Sequence, residues 1–239
     1  MRLLYPFAKR FIAGEDLSTA LKSIHALESS GYLSTVDILG EHIHRKEQAE
    51  RAQKAYLNLV REINNGPSPV DLSVKVTQMG LDIDQEICRR NISELLVAAS
   101  RHTVRLDMEG SGYTQSTIDL CVVLHKTHKN LGQAVQAYLF RTANDVDRLI
   151  ENGISVRLCK GAYKESPKIA WSSMDDIRAN FLKLAKKLLT EGFLPAIATH
   201  DEYLLAEILD FTARKNIDPK SFYFEMLYGV RRDLHKVLL

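Results

Sequence analysis

Ser155-Val156-Arg157-Leu158-Cys159-Lys160-Gly161-Ala162-Tyr163 is the stretch that decides the fold. Aliphatic and β-branched residues surround one arginine, and the run stops at a lysine, a glycine and a tyrosine. A buried parallel strand that carries charge to its C-terminal end has this form, and that end is where α/β barrels place their chemistry. Two cations beside a glycine that lets a ligand approach the backbone suit an anionic or electron-rich ring. The plainer alternative is that Arg157 and Lys160 pair with carboxylates of neighbouring loops.

Beyond the break at Gly66-Pro67-Ser68-Pro69, short extended runs alternate with amphipathic ones. Strands are predicted at 73–77, 104–108, 134–140, 155–160, 195–199 and 222–226, with helical spacing between them. They recur about every 30 residues, the length of one βα unit, which predicts a parallel sheet. No GxGxxG turn follows the first strand, and polar residues recur at nearly every strand end rather than at one switch point. Both features favour a (β/α)8 TIM-like barrel over a doubly wound sheet. About six units fit the chain, so an incomplete barrel is expected. Ahead of the break, apolar spacing predicts helices over 16–31, with Asp16 as N-cap, and over 46–64. The expected division is a helical arm over 1–69 and a barrel domain over 70–239.

With 45% hydrophobic residues among 239, a core of one large domain or two small ones is available. The balance of 32 basic and 30 acidic residues, with no basic block, argues against a nucleic-acid partner. Cys88, Cys121 and Cys159 form no CxxC pair, which predicts a reducing, cytoplasmic setting. No apolar run reaches the length of a membrane span, and the first residues lack a signal-peptide core. Leu3, Leu4, Phe7, Phe11 and Ile12 beside Arg2, Lys9 and Arg10 offer peripheral contact at an inner membrane as a second expectation, behind a core-facing first turn.

Each predicted strand brings a polar group to its end: Lys75, Asp107, Gln136 with Tyr138, Arg157 with Lys160, Thr199-His200-Asp201, and Glu225. Six at corresponding places make a site. Taken singly, Lys75 and Asp107 form a salt bridge, Gln136 satisfies a loop amide, and Asp201 caps the next helix. His42/His44, the lone His102 and the pair His125/His128 are the candidate metal ligands; no carboxylate accompanies His125 and His128 at useful spacing, so that pair is read as a solvated face and no metal site is expected.

Phe11-Ile12-Ala13-Gly14-Glu15, Leu39-Gly40-Glu41, Arg105-Leu106-Asp107-Met108-Glu109, Gln136-Ala137-Tyr138-Leu139, Arg157 through Tyr163, Ala198-Thr199-His200-Asp201 and Met226-Leu227-Tyr228-Gly229-Val230-Arg231 resemble, in order, the signature blocks of the proline dehydrogenase family, monofunctional bacterial type. The resemblance implies a distorted (β/α)8 barrel that binds FAD and oxidises L-proline to Δ1-pyrroline-5-carboxylate by hydride transfer to flavin N5. This is the first step of proline catabolism, and the electrons pass to a quinone-type acceptor. It further implies that Asp107 and Arg157 are the catalytic pair, that Lys75 meets the substrate carboxylate and that Tyr163 walls the pocket. Met108, Gln136, Arg157, Lys160, Gly161, Ala162, Thr199 and His200 would hold the cofactor. Glu225, where many members have Gln, would hold it too.

The family supplies its grip on the substrate carboxylate from an Arg-Arg pair on a late helix, and Arg231-Arg232 belong instead to the Tyr-Gly-Val-Arg block. A flavin-binding but catalytically silent protein is therefore the alternative reading. A third is a Schiff-base lyase using Lys75 or Lys160.

Overall fold

A computed structural model describes residues 11–238. The first helix, α1 (Leu17–Ser29), starts where Asp16 accepts the Thr19 N–H and Thr19 bonds back to the Asp16 backbone, a capping box. The chain leaves that helix through Gly31 at φ +86°, a left-handed conformation that costs glycine little. It then forms a short strand, β1 (Thr35–Asp37), before α2 (Lys46–Ile63). Six strand–helix units follow: β2 (Asp71–Val74), α3 (Gln85–Ala98), β3 (Val104–Leu106), α4 (Thr114–His125), β4 (Leu131–Gln136), α5 (Thr142–Glu151), β5 (Val156–Cys159), α6 (Met174–Glu191), β6 (Ala196–Ala198), α7 (Glu202–Lys215), β7 (Tyr223–Glu225) and the short α8 (Arg232–His235).

All seven strands are parallel and pair in chain order from β1 to β7. The sheet curls strongly. β2 and β5 are three strand steps apart, about 14 Å in a flat sheet, yet Arg157 Nη1 donates to Ser73 Oγ at 2.7 Å. At the mouth, Tyr163 Oη after β5 donates to Glu41 Oε2 after β1 at 3.1 Å. The fold is thus α/β, with the strands wrapped as part of a barrel.

Alternation of side chains along each strand separates two environments. Leu72, Val74, Val104, Leu106, Val135, Val156, Leu158 and Ile197 face outward and join one apolar core with Ile92, Leu95, Phe181, Leu184 and Ile208 of the surrounding helices. Ser73, Arg105, Gly132, Ala134, Ser155 and Arg157 occupy the other face of their strands. Arg105, 1% exposed, is held there by Ser155 Oγ at 3.1 Å and by Asp71 at 3.3 Å.

Several expectations need correction. The span read as a helical arm contributes β1, which pairs with β2 in register from Thr35–Asp71 to Asp37–Ser73. This strand is only three residues long and is exposed at both ends, so it lacks the apolar run that marks a strand. Among the described residues the sheet therefore has seven strands rather than six. β2 and β4 each begin and end before the predicted spans, because the apolar residues Val76 and Ala137–Leu139 pack in the turns after the strands. His125 is buried, not solvated, its Nδ1 2.9 Å from the Leu131 carbonyl. Apart from Phe11 and Ile12, the N-terminal apolar and basic cluster lies outside the described residues. No helix among the described residues is long and apolar enough to cross a membrane.

Tyr56 of α2, 0% exposed, joins β1 to β2: its hydroxyl donates to the Ser73 carbonyl at 2.7 Å and accepts the Ile38 N–H at 3.1 Å. Tyr56→Phe strands both main-chain groups, and the expected loss is about 1–3 kcal/mol, read as a lower urea midpoint at unchanged slope.

Candidate active site

The strands converge their charges at the C-terminal rim. Asp37 closes β1, Lys75 and Asp107 each follow their strand by one residue, Arg157 lies within β5 and Glu225 ends β7. Lys75 Nζ donates to Asp37 Oδ2 at 2.7 Å and to Asp107 Oδ2 at 3.1 Å. Burial alone would lower its pKa, but the Asp107 and Asp37 carboxylates raise it, so Lys75 stays an ammonium. A charged amine is no nucleophile, which removes the Schiff-base reading for this residue.

Arg157, 7% exposed, is the centre of the cluster. Nη1 donates to Ser73 Oγ at 2.7 Å and to Asp107 Oδ1 at 3.0 Å. Ser73 Oγ in turn donates to Asp107 Oδ1. Nε lies 2.6 Å from Glu225 Oε2, an ion pair in which the N–H is not aimed at the oxygen. Nη2 is buried with no protein acceptor.

The remaining residues form the walls. Gln136 spans two loops, donating to the Glu109 carbonyl at 3.0 Å and accepting the Ala162 N–H at 3.1 Å. Lys160 Nζ and Arg178 Nε both reach Asp201 Oδ2 at 2.8 Å. Asp201 also caps α7 by accepting the Tyr203 N–H. Burial would raise the Asp201 pKa, but the hydrogen bonds from Arg178 and Lys160 hold it down at about 2. His200 Nε2 accepts the Leu227 N–H at 2.8 Å, tying the β6 loop to the β7 loop. Met108 and Thr199 are buried, and Thr199 Oγ1 accepts the Asp201 N–H at 3.1 Å. Glu41, His42 and Glu109 bring ligand atoms within 4.8 Å of one another, although the Glu109 carboxylate is already held by Thr77.

A sequence model of the proline dehydrogenase family matches residues 20–239. The chain belongs to that family. It is an enzyme of the proline dehydrogenase class. Proline dehydrogenase 2 of Bacillus subtilis (strain 168) is 34% identical over 226 residues, 94% of this chain and 75% of that protein. Proline dehydrogenase 1 of the same organism is 31% identical over 233 residues, 97% of this chain and 77% of that one. Among solved structures, proline utilization A (PutA) from Bdellovibrio bacteriovorus, inactivated by N-propargylglycine, superposes with a TM-score of 0.86 at 26% identity, covering 95% of this chain and 29% of that chain.

The atoms at the rim bear on whether a flavin fits there. The unpartnered Nη2 of Arg157 needs an acceptor, since a buried unmatched donor costs about 1–3 kcal/mol. Ala134 and Ala196 are the register neighbours of Arg157 on either side, so no bulky side chain fills the inner face next to it. Gly161 adopts φ +125°, and a Cβ there would stand 2.2 Å from the Tyr138 ring. The glycine is thus required by the packing of Tyr138, while the unmatched Nη2 of Arg157 between Ala134 and Ala196 fits an electron-rich ring edge that accepts a hydrogen bond beside a cation.

Sequence reasoning missed Asp37, Ser73, Tyr56 and Arg178. Asp37 and Ser73 sit on strands that lack a charged motif, and the only signal was their alternation with Val36, Leu72 and Val74. Arg178 lies in the second turn of α6 among other charges and nothing in the sequence singles it out.

Gly161→Ala combines a left-handed φ with overlap on an aromatic ring, and its unfolding temperature is expected to fall by several degrees. Adding Tyr138→Leu should restore part of the loss. Asp201 titrates near 2 when folded against a normal 3.8, so its contribution is complete above about pH 4 and disappears as pH falls to about 2. The stability gap between wild type and Asp201→Asn is expected to close over that interval in pH-dependent urea melts.

Proposed function

We propose that this chain oxidises L-proline to Δ1-pyrroline-5-carboxylate with FAD as cofactor, from a cytoplasmic position, passing the electrons to a quinone-type acceptor. The observation that carries this reading is the chain of contacts Asp37–Lys75–Asp107–Arg157 at the strand ends of a family member. An amino acid is a zwitterion, and this chain offers both complementary charges. Lys75 has three N–H donors, of which Asp37 and Asp107 take two, leaving one for the substrate carboxylate. Asp107 offers a carboxylate to the ring nitrogen, orienting it or accepting its proton as the amine becomes neutral enough to be oxidised.

When bound, FAD supplies the acceptor for the two electrons. Arg157, Lys160, Gln136, Met108, Gly161, Ala162, Thr199, His200 and Glu225 would hold it, and Tyr163, fastened to Glu41, would wall the substrate side. Arg157 meets developing negative charge with a guanidinium already fixed by Asp107, Ser73 and Glu225, so no reorganisation is needed during the reaction.

The decisive experiment is an anaerobic absorbance spectrum of the purified, FAD-reconstituted chain before and after L-proline. Flavin bands that bleach support the proposal, whereas bands that persist favour a flavin-binding but silent protein. Arg157→Met should lower kcat by about 10²–10³-fold. N-propargylglycine, with which the Bdellovibrio protein was inactivated, is expected to inactivate this chain in a proline-protectable manner.

A further inference from the structure

Ser73 stands between the two side chains on which the proposed chemistry rests, and no charged motif draws the eye to it. Its side chain lies on the inner face of β2 and the residue is 4% exposed. The direction of its hydrogen bonds is forced. A guanidinium only donates, so Arg157 Nη1 gives a proton to Ser73 Oγ at 2.7 Å, and the serine proton goes to Asp107 Oδ1. Its backbone is anchored from outside the site, because the Ser73 carbonyl accepts the Tyr56 hydroxyl at 2.7 Å.

The consequence is geometric. Nη1 is taken by Ser73 and Asp107, Nε makes no hydrogen bond but is ion-paired with Glu225, and Nη2 has neither a hydrogen bond nor a facing carboxylate. Asp107 is fixed as well, with Oδ1 toward Ser73 and Arg157 and Oδ2 toward Lys75. We propose that Ser73 is a positioning residue: it locks the guanidinium plane of Arg157 so that Nη2 is the donor edge presented to the electron-accepting cofactor, and it holds Asp107 in the matching orientation. This rests on the function proposed above. Without the hydroxyl, one carboxylate oxygen must fix Nη1 alone, and both side chains gain a rotation.

The test compares Ser73→Ala with Ser73→Thr, which keeps the hydroxyl, in the FAD-loaded enzyme. Ser73→Ala is expected to lower kcat about 30-fold with KM for proline changed less than about twofold. It should also cost about tenfold in preference for reduced over oxidised flavin, a midpoint potential lower by about 30 mV. Ser73→Thr should return both readouts to within about threefold of wild type. Wild-type kcat and potential in Ser73→Ala would overturn the assignment, as would a loss confined to KM, or a threonine variant that melts like wild type yet is as impaired as alanine.

Failure of the underlying function would show separately, as a wild-type chain that takes up no flavin or is not reduced by proline. The positioning itself is then read in the flavin-free chain from ¹⁵N spectra of the guanidinium groups. Distinct Nη1 and Nη2 signals for Arg157 in wild type that merge in Ser73→Ala support it, and identical spectra refute it.

Discussion

A single buried cation organises the inside of this barrel. Removing a guanidinium from water is costly unless anions and acceptors replace the solvent, and Arg157 draws them from three other strands: Ser73 on β2, Asp107 after β3 and Glu225 on β7. Those contacts span strands that are not neighbours in the sheet, so the ion pairs and the curl of the sheet require one another. Lys75 and Asp37 extend the same network to the first strand.

The helices supply what the ion network cannot. Outward-facing Leu72, Val74, Leu106, Leu158 and Ile197 are fully buried against α3, α6 and α7, with the apolar burial that each such side chain contributes, about 1.5–3 kcal/mol. Inside that apolar shell, Nη2 of Arg157 is a buried donor that no protein acceptor matches. Unmatched buried donors are what a ligand-binding interior can keep and an ordinary core cannot.

Much of this was legible in the sequence for a physical reason. Parallel strands buried on both faces interrupt their apolar runs only where an interior charge is needed, so Lys75, Asp107, Arg157 and Glu225 stood out, and the structure brings all four together. Strand β1 was not legible because three half-exposed residues carry no periodicity. Ser73 was not legible because a serine among apolar residues is unremarkable until its neighbours across the barrel are known. Lys160 could be read as either a ligand-facing cation or a partner of Asp201. The structure pairs it with Asp201, and its two remaining donors leave the other role open to it.

The strictly sequential strand order bears on how the molecule is built. Each strand finds its partner in the strand just before it, so the sheet can grow by one unit at a time as the chain emerges, with modest loop-closure cost at each step. The interior charges do not enjoy that economy. Arg157 enters with β5, when Ser73 and Asp107 are already in place, but its Nε must wait for Glu225 on the seventh strand. During synthesis the scaffold therefore precedes the site, and a chain halted after β6 would hold a nearly complete sheet around an arginine still lacking one of its two carboxylates.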